Sequence, residues 1–347
     1  MLTPPARDQH AAGTRSARRR HAISTRPAVG RHEVRWFDAD RLPDGRVRCG
    51  SARRRPRPSG ASRIAGMTTG TLITVAPTGA ESAKAEVPAL PVTLDELLLT
   101  ARECEALGAA VIHVHIRDDA ARPTLDQGRL RETVAALRES TDLIVQLSSG
   151  GAVTDPEADR LAVLDAGPDM ASCTMGTLNF GDDVFLNRWE FIVDLHTRMQ
   201  ERGIVPEYEI FDLGHLTALA RLLGRYGLPH GGHVHVDFVM GVPGGMPGTT
   251  QALVAAHQAL RDLPEGTTFS ATGIGRSTIP VLLAALSAGG HLRVGMEDTV
   301  TYAKGRPVES NMQLVARAVG FAQLAQRPPL TTTEARALLG VASRAGA

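Results

Sequence analysis

The pattern of apolar and polar positions divides the chain near residue 70. From residue 71 onward, short runs rich in β-branched residues alternate with longer runs whose apolar positions recur at helical spacing. Eight such strand and helix pairs follow one another along the chain. Before residue 67 the chain shows neither a two-residue nor a helical apolar period, so we expect no hydrophobic core there.

The predicted strands are apolar along much of their length, as expected for strands covered on both faces. They span Thr71–Ala76, Ala109–Ile116, Asp142–Ser148, Asp169–Thr174, Val205–Phe211, His233–Met240, Thr267–Ala271 and His291–Gly295. Helices are predicted between them, most clearly over Thr93–Leu107, where Thr93 and Glu96 form a capping-box pattern, and over Thr249–Leu260 and Ser310–Leu324. This order predicts an α/β fold, the (β/α)8 TIM barrel, whose sites lie at the C-terminal ends of the strands.

Residues 1–66 differ from the remainder in charge. They contain 16 Arg and 5 acidic residues, with clusters at Arg18–Arg20 and Arg53–Arg55. We interpret this segment as a disordered Arg-rich arm or as translated sequence upstream of a start at Met67. A basic nucleic-acid tail and a transit peptide are the other interpretations. Residues 67–347 are then the barrel domain.

The composition of the whole chain excludes several classes of protein. The formal net charge of its 347 residues is only +1, which argues against nucleic acid or an anionic membrane as the main partner. No apolar run reaches the roughly 18 residues of a membrane span, and no secretory apolar region follows Arg18–Arg20. Cys49, Cys104 and Cys173 are too dispersed for a disulfide framework or a thiolate zinc site. We therefore expect a cytoplasmic protein.

Two histidines end the second predicted strand, in the sequence Val-Ile-His113-Val-His115-Ile-Arg-Asp. With a period of two, both imidazoles point to the same side of the sheet, near the catalytic mouth of the barrel. This arrangement predicts a pair of metal ligands, the alternative being histidines that are merely hydrogen-bonded in the core. His233 and His235 begin the sixth strand, at the opposite end of the barrel, so we expect a structural role for them.

The eighth strand ends in a cation and two acids, Arg293, Glu297 and Asp298. A carboxylate that joins two histidines leaves an open coordination position, as in catalytic zinc sites, although iron, cobalt and manganese also suit these ligands. Asp298 can then act as a general base that Arg293 holds ionised and oriented. A buried structural Arg–Asp ion pair is the alternative.

Other polar residues lie at the predicted strand ends. Glu81 follows the first strand, Ser148 ends the third, Ser172 lies in the fourth, and Glu207 and Glu209 share one face of the fifth. Acids that face into a barrel are costly unless they meet a metal, a cation or a substrate. We therefore predict that one of these carboxylates meets a cationic or hydroxylic ligand. The serines are more readily explained by capping or by exposure to solvent.

Two glycine-rich turns follow the sixth and seventh strands, at residues 241–248 and 273–276. Such loops let backbone N–H groups approach an anion, and barrels often bind phosphate beside their last two strands. They lack the third glycine of a dinucleotide fingerprint, which argues against NAD. We predict an acyl-carrier or phosphate site that contains Gly244, Gly245, Gly273, Gly275 and Arg276.

Several motifs together resemble the β-keto acid cleavage enzyme family. They are Thr74–Ala80 with Glu81, His113–Asp118, Gln146–Ala152, Gly176–Asp182, Gly241–Gly245 and Glu297-Asp298. The resemblance runs from about residue 71 to 341 and leaves residues 1–66 without a counterpart. It implies a zinc-dependent (β/α)8 acyltransferase that converts a β-keto acid and acetyl-CoA into acetoacetate and a new acyl-CoA by Claisen and retro-Claisen chemistry.

The resemblance also implies roles for individual residues. Zinc would be bound by His113, His115 and Glu297. Asp298, assisted by Arg293, would remove a proton from the keto acid, and its carbanion would attack the acetyl-CoA thioester.

Further positions match the family's substrate pocket. Ser148 and Glu81 match positions around the substrate, and Ser172 stands where the aminohexanoate enzymes have threonine. Glu209 matches the acid that meets the ammonium group of 3-keto-5-aminohexanoate, which favours a cationic keto acid. The resemblance further implies a homo-oligomer and leaves the identity of the keto acid open.

Two other functions compete with this interpretation. In a metal-dependent amidohydrolase, the metal would be bound by His113, His115, His215 and Asp298, and the enzyme would need water but no acetyl-CoA. A nucleic-acid-binding protein would use the Arg-rich arm as its contact. The net negative charge of the remainder disfavours the second alternative.

Overall fold

The computed structural model describes residues 70–344. The predictions for residues 1–66, and for a start at Met67, lie outside the described residues. Within them, helices and strands alternate around a closed barrel of eight parallel strands, so the predicted (β/α)8 fold is confirmed. No helix in this range is long and apolar enough to cross a membrane.

The barrel strands are numbered β1–β8 in chain order. They are β1 Ile73–Val75, β2 Val111–Val114, β3 Ile144–Leu147, β4 Met170–Thr174, β5 Val205–Ile210, β6 His235–Met240, β7 Thr268–Gly273 and β8 His291–Val294. Each strand pairs in parallel with its neighbours in sequence, and β1 pairs with β8 to close the barrel. All eight strands therefore present their C-terminal ends at one mouth.

One helix follows each strand, and a ninth ends the described chain. They are α1 Leu94–Leu107, α2 Gln127–Ser140, α3 Glu157–Ala162, α4 Trp189–Arg202, α5 Leu213–Tyr226, α6 Thr250–Ala259, α7 Thr278–Ser287, α8 Asn311–Leu324 and α9 Thr332–Leu339. The predicted capping box is present at α1, where the Thr93 hydroxyl accepts from the Glu96 N–H and the Glu96 carboxylate accepts from the Thr93 N–H. Thr249 and Ser310 precede α6 and α8 as their N-cap residues.

Each predicted strand differs from the observed strand by one or two residues at one or both ends, and β6 and β7 are examples. β6 begins at His235 rather than His233, and β7 continues to Gly273 rather than ending at Ala271. The two strands pair in register from His235 with Thr268 to Met240 with Gly273, and this ladder sets their common length. Cross-strand pairing, which the apolar pattern does not encode, thus decides where both strands end.

Three small hairpins interrupt the strand and helix alternation beyond β2, β4 and β8. The hairpin of Leu178–Phe180 and Asp183–Phe185, here called the mouth hairpin, follows β4 at the C-terminal end of the barrel. It carries two of the phenylalanines that line the central cavity, Phe180 and Phe185. The apolar pattern did not predict this element.

The C-terminal segment closes the opposite end of the barrel. Ala335 and Leu339 of α9, with Val341, pack in one apolar cluster with the first residues of the barrel strands, among them Val111, Ile144, Met170 and Val205. The Asp169 carboxylate contacts three guanidinium groups, those of Arg138, Arg336 and Arg344, at 2.9, 3.3 and 3.4 Å. This segment holds together strand ends that are distant in sequence.

Candidate active site at the mouth of the barrel

The C-terminal strand ends surround a cavity of about 250 Å3. Strands β8, β1, β2 and β3 form a continuous half of the barrel and supply most of the polar lining. This polar lining includes His113, His115, Ser148, Arg293, Glu297 and Asp298. The opposite half, from β4 to β7, supplies mainly apolar side chains and one acid, Glu209. The cavity therefore has a polar side and an apolar side.

The two histidines of β2 and the acid after β8 come together on the polar side. His113 Nε2 and His115 Nε2 each lie 3.7 Å from a different carboxylate oxygen of Glu297. One ligand atom of each of the three residues lies within 4.8 Å of the others, and no second group of this kind occurs in residues 70–344. Residues 182 positions apart in sequence thus form one potential metal site.

Electrostatics prepare all three side chains for a cation. Burial and the nearby Arg293 lower the pKa of His113 to about 3, and burial lowers the pKa of His115. Burial alone raises the pKa of Glu297, but Arg293 and the two histidines outweigh it and lower the pKa to about 2. Neutral imidazoles and an ionised carboxylate are the forms that bind a divalent metal.

Gln146 of β3 orients the first of these ligands. His113 Nδ1 lies 2.5 Å from Gln146 Oε1, an oxygen that can only accept, so the ring proton lies on Nδ1 and the Nε2 lone pair faces Glu297. Glu297 Oε2 is buried and has no hydrogen-bond partner among the described residues. Two oriented nitrogen donors and an unpartnered carboxylate oxygen fit a divalent ion with an open coordination position.

Arg293 connects the acids of the cavity. One terminal nitrogen, Nη2, donates to Glu297 and lies 3.1 Å from Asp298 Oδ1, while Nη1 lies 3.4 Å from Glu209 Oε1. Burial raises the pKa of Asp298 to about 7 even though Arg293 opposes the shift. Asp298 Oδ2 is buried without a partner in the described chain, so this oxygen is available to accept a proton from a ligand.

The other predicted substrate residues lie at different depths. Glu209 is buried at the base of the cavity, where its Oε2 accepts from the Thr174 hydroxyl at 2.6 Å. Glu81 is an exposed residue at the rim. Ser148 lines the cavity, but Ser172 does not, since its hydroxyl accepts from the Ser149 N–H at 3.1 Å instead. A substrate contact for Ser172 stays a prediction.

Both glycine-rich turns contribute to the lining of the cavity, but not through the residues that were predicted to bind an anion. Val242, Pro243 and Ile274 line the cavity, whereas Gly244, Gly245, Gly273, Gly275 and Arg276 do not. Gly244 packs against the mouth hairpin with φ at +104°, and a β-carbon there would lie 2.0 Å from the Asn179 carbonyl oxygen. At Gly273 a β-carbon would lie 2.5 Å from the Ser277 carbonyl oxygen. Close backbone packing explains these two glycines, and their role toward acetyl-CoA stays a prediction.

Glu207, His215 and His235 do not line the cavity. His235 lies inside the barrel, hydrogen-bonded to Thr268 at 2.7 Å and Ser270 at 3.0 Å, with its Nε2 3.5 Å from Glu207. His215 lies on α5, where its Nδ1 accepts from the Phe211 N–H at 3.3 Å. His215 is not part of the His113 group, so the described chain offers no ligand set of the amidohydrolase type.

The comparison with protein families decides the identity of the chain. The family model for β-keto acid cleavage enzymes matches residues 71–341, which is nearly the whole described range. The chain belongs to this family. The resemblance found in the sequence motifs is therefore confirmed, and so is the class of enzyme.

Relatives in the β-keto acid cleavage family differ in the substrates they are named for. The 3-keto-5-aminohexanoate cleavage enzyme of Acetoanaerobium sticklandii is 37% identical over 78% of this chain and 98% of its own length. The 3-oxoadipate:acetyl-CoA acetyltransferase of Cupriavidus necator is 32% identical over 80% of this chain and 97% of its own length. A 3-dehydrocarnitine:acetyl-CoA trimethylamine transferase of Rhizobium meliloti is 32% identical over 72% of this chain and 90% of its own length.

A solved structure supports the fold of this family member independently. ObcA in its apo form matches with a TM-score of 0.64 at 19% identity, covering 73% of this chain and 66% of ObcA. At this identity the likeness concerns the barrel alone.

Sequence reasoning missed three features of the site. Gln146 is a polar residue inside the apolar run of β3, and that contrast, two positions before Ser148, was a usable signal. Phe180 and Phe185 line the cavity from a hairpin whose strands have only three residues each, too short for an apolar period.

Proposed function

We propose that this chain is a metal-dependent β-keto acid cleavage enzyme with acetyl-CoA as co-substrate. It would convert a β-keto acid and acetyl-CoA into acetoacetate and the acyl-CoA of the remaining substrate carbons. The observation that carries the proposal is the grouping of His113, His115 and Glu297 beside the Arg293–Asp298 pair, in a chain of this family. The names of the Cupriavidus and Rhizobium relatives support acetyl-CoA as the second substrate.

The donor set fits a divalent metal, for which we propose Zn²⁺. Iron, cobalt or manganese also suits two imidazoles and a carboxylate. When bound by His113, His115 and Glu297, the ion supplies a Lewis acid that stabilises enolate charge on the oxygens of the keto acid.

The side chains around the metal ligands would carry out the proton transfers. Arg293 donates to Asp298 Oδ1 and thereby directs the unpartnered Oδ2 toward a ligand in the cavity. Asp298 would take a proton from C2 of the keto acid, and the resulting carbanion would attack the acetyl-CoA thioester. Coenzyme A would then move to the substrate's own keto carbon. Cleavage of the bond between C2 and that carbon releases acyl-CoA, and acetoacetate regains the proton that Asp298 holds.

Asp298→Asn separates proton transfer from metal binding. The asparagine keeps the volume of the side chain but accepts no proton, so we expect bound metal at the wild-type level and a loss of turnover of at least about a hundredfold. Glu297→Gln should instead lower metal content and turnover together. Metal content by atomic emission, with acetoacetate formation on the same samples, makes the comparison, and wild-type turnover in Asp298→Asn would contradict the base assignment.

We propose 3-keto-5-aminohexanoate or a related cationic keto acid as substrate. The name of the relative from Acetoanaerobium sticklandii supports this choice. Glu209 is the proposed partner of the ammonium group, although Thr174 and Arg293 already donate to its carboxylate. Glu81 at the rim is a second acid that lines the same cavity. Turnover of the aminated and of a neutral keto acid is compared in Glu209→Gln and in Glu81→Gln. The variant that loses more turnover with the aminated substrate identifies the carboxylate that binds the ammonium group.

The direct test measures acetoacetate formed by the metal-loaded full-length chain from 3-keto-5-aminohexanoate, with and without acetyl-CoA. We expect product only with acetyl-CoA, accompanied by a new acyl-CoA in equal amount. Product without acetyl-CoA, or no product from any keto acid with metal confirmed bound, would overturn the proposal. The predicted cytoplasmic location and homo-oligomeric state stay predictions.

A further inference from the structure

The apolar side of the cavity has a consequence for substrate choice. We define the apolar wall as the side chains of Val153, Phe180, Phe185, Phe211, Val239, Val242 and Ile274. We propose that the apolar wall is the subsite for the keto acid's carbons beyond its C3 carbonyl, and that it rejects substrates with a negatively charged distal end. This inference rests on the function proposed above and names the class of substrate.

The position of the apolar wall follows from the barrel topology. The metal-binding group and Asp298 lie at the ends of β2 and β8, and the apolar wall lies mainly on and after β4 to β7, across the same cavity. A keto acid whose C1 to C3 atoms are held at the polar side must extend its remaining carbons toward the other half of the barrel. The distal chain therefore meets the apolar wall.

The members of the apolar wall form a packed surface. Phe180, Phe185 and Phe211 meet edge to face, with ring centroids 6.1 to 6.5 Å apart. All seven side chains belong to one apolar cluster at the mouth. Contact with such a surface favours methylene and methyl groups by removing them from water.

Charge in the cavity disfavours a distal carboxylate. Among the described residues that line the cavity, Arg293 is the only Arg or Lys. Its guanidinium already donates to Glu209, Glu297 and Asp298. A distal carboxylate would thus meet apolar side chains and the acids Glu81 and Glu209, and a buried unpaired charge is strongly unfavourable.

A buried arginine fixes the apolar wall in place. Arg160 of α3 is 2% exposed, and its guanidinium lies 4.8 Å from the ring centre of Phe185. It donates to the carbonyl oxygens of Ser149 and Leu186 at 2.8 and 2.7 Å and to Asn187 Oδ1 at 2.5 Å. Arg160 therefore ties the end of the mouth hairpin to the end of β3, so the wall exists before substrate arrives.

The test compares two keto acids of equal length, 3-oxohexanoate and 3-oxoadipate, which differ only in a distal methyl or carboxylate. For the wild-type holoenzyme with acetyl-CoA, we expect kcat/KM to favour 3-oxohexanoate by about a hundredfold or more. We also expect kcat/KM to rise about tenfold from 3-oxopentanoate to 3-oxohexanoate, since one more methylene contacts the wall.

Substitutions in the apolar wall test whether it causes the preference for 3-oxohexanoate over 3-oxoadipate. Phe180 is only partly buried, so its replacement should leave the fold intact. Phe180→Ala should remove most of the gain from the added methylene, and Phe180→Lys should bring the 3-oxohexanoate to 3-oxoadipate ratio down by about tenfold or more. Phe321→Ala is the matched control, because Phe321 of α8 is also partly buried but does not line the cavity, and it should keep the wild-type ratio.

Three results would overturn the inference while leaving the cleavage activity established. One is equal use of 3-oxohexanoate and 3-oxoadipate by the wild type. Another is an equal loss with every keto acid in Phe180→Ala. A third is a rise in KM for acetyl-CoA alone in that variant, which would assign the wall to the pantetheine arm. No acyl-CoA from any keto acid, 3-keto-5-aminohexanoate included, would instead refute the proposed function.

Discussion

Among single residues, Gln146 shows how a neighbour prepares a metal ligand. Its amide oxygen fixes the proton of His113 on Nδ1, and its loss frees the ring to rotate or to change tautomer. Gln146→Leu should weaken metal affinity by about ten- to a hundredfold, with turnover restored by added metal. Titration with a competing chelator measures the affinity. Gln146→Glu keeps an acceptor and is the control, and wild-type affinity in Gln146→Leu would remove this role.

The buried carboxyl group of Glu207 should make the stability of the fold depend on pH. Burial, together with Asp237, raises its pKa from 4.5 to about 8, with Arg293 opposing and Glu209 reinforcing the shift. His235 Nε2 also faces this carboxylate, at 3.5 Å. Between pH 4.5 and 8 the folded state therefore binds more protons at Glu207 than the unfolded state, so its contribution to stability falls as pH rises through this window.

Glu207→Gln removes that titration. Between pH 5 and 8.5 the free energy of unfolding should fall less in the variant than in the wild type, so the variant gains stability relative to the wild type. Urea unfolding at the two pH values measures this gain. Glu334→Gln, at an exposed carboxylate on α9, is the control and should not reproduce this gain. A pH dependence identical to the wild type in Glu207→Gln would show that Glu207 is ionised in the fold.

Residues were predictable from the sequence where their position follows from one strand. His113 and His115 share a face because they are two positions apart, and the strand end placed them at the mouth. Glu297 and Asp298 followed by the same argument. The link from Gln146 to His113 depends on the lateral register of β2 and β3, which no local pattern contains. The hydrogen bond from the Ser149 N–H to the Ser172 hydroxyl likewise depends on a contact between strands, which no local pattern contains.

At the scale of elements, Arg160 joins three segments and should matter for stability. Its planar fork reaches three acceptors in the segments that directly follow β3 and the mouth hairpin, a geometry that lysine cannot reproduce. Arg160→Lys should lower the free energy of unfolding by about 2 kcal/mol or more, as measured by urea unfolding.

The matched control is Arg188→Lys, at an exposed ion pair with Glu157. Surface pairs contribute about 1 kcal/mol or less, so this change should cost little. If both substitutions cost the same, Arg160 does not hold the mouth hairpin as described.

Regular elements were predictable and the mouth hairpin was not, for a physical reason. The barrel strands and α1 repeat an apolar period over enough residues to be recognised, and Thr93 with Glu96 marks the start of the helix. The mouth hairpin has three residues per strand and mixed burial, and it is held by contacts with Arg160 and Gly244 from other parts of the chain. Such long-range contacts do not appear in a local pattern.

For the molecule as a whole, α9 should contribute much of the stability of the closed end. Leu339 is fully buried against the first residues of the barrel strands. Leu339→Ala should therefore lower the free energy of unfolding by about 2 to 5 kcal/mol, while KM for the keto acid stays unchanged because the site lies at the other end. Leu324→Ala, at a side chain that is 81% exposed, is the control and should change stability by less than about 0.5 kcal/mol. A changed KM in Leu339→Ala would mean that the two ends are coupled.

The closure of one end of the barrel by α9 and Val341 also affects the order in which substrates bind and products leave. The α9 segment packs on the first residues of the strands and the cavity lies among the C-terminal strand ends, so both substrates and both products share the mouth of the barrel. A keto acid is small enough to pass to the bottom of the cavity, whereas coenzyme A extends far beyond a space of about 250 Å3 and blocks the way behind its acyl group. We therefore expect an ordered mechanism, in which the keto acid binds before acetyl-CoA and the new acyl-CoA is released before acetoacetate.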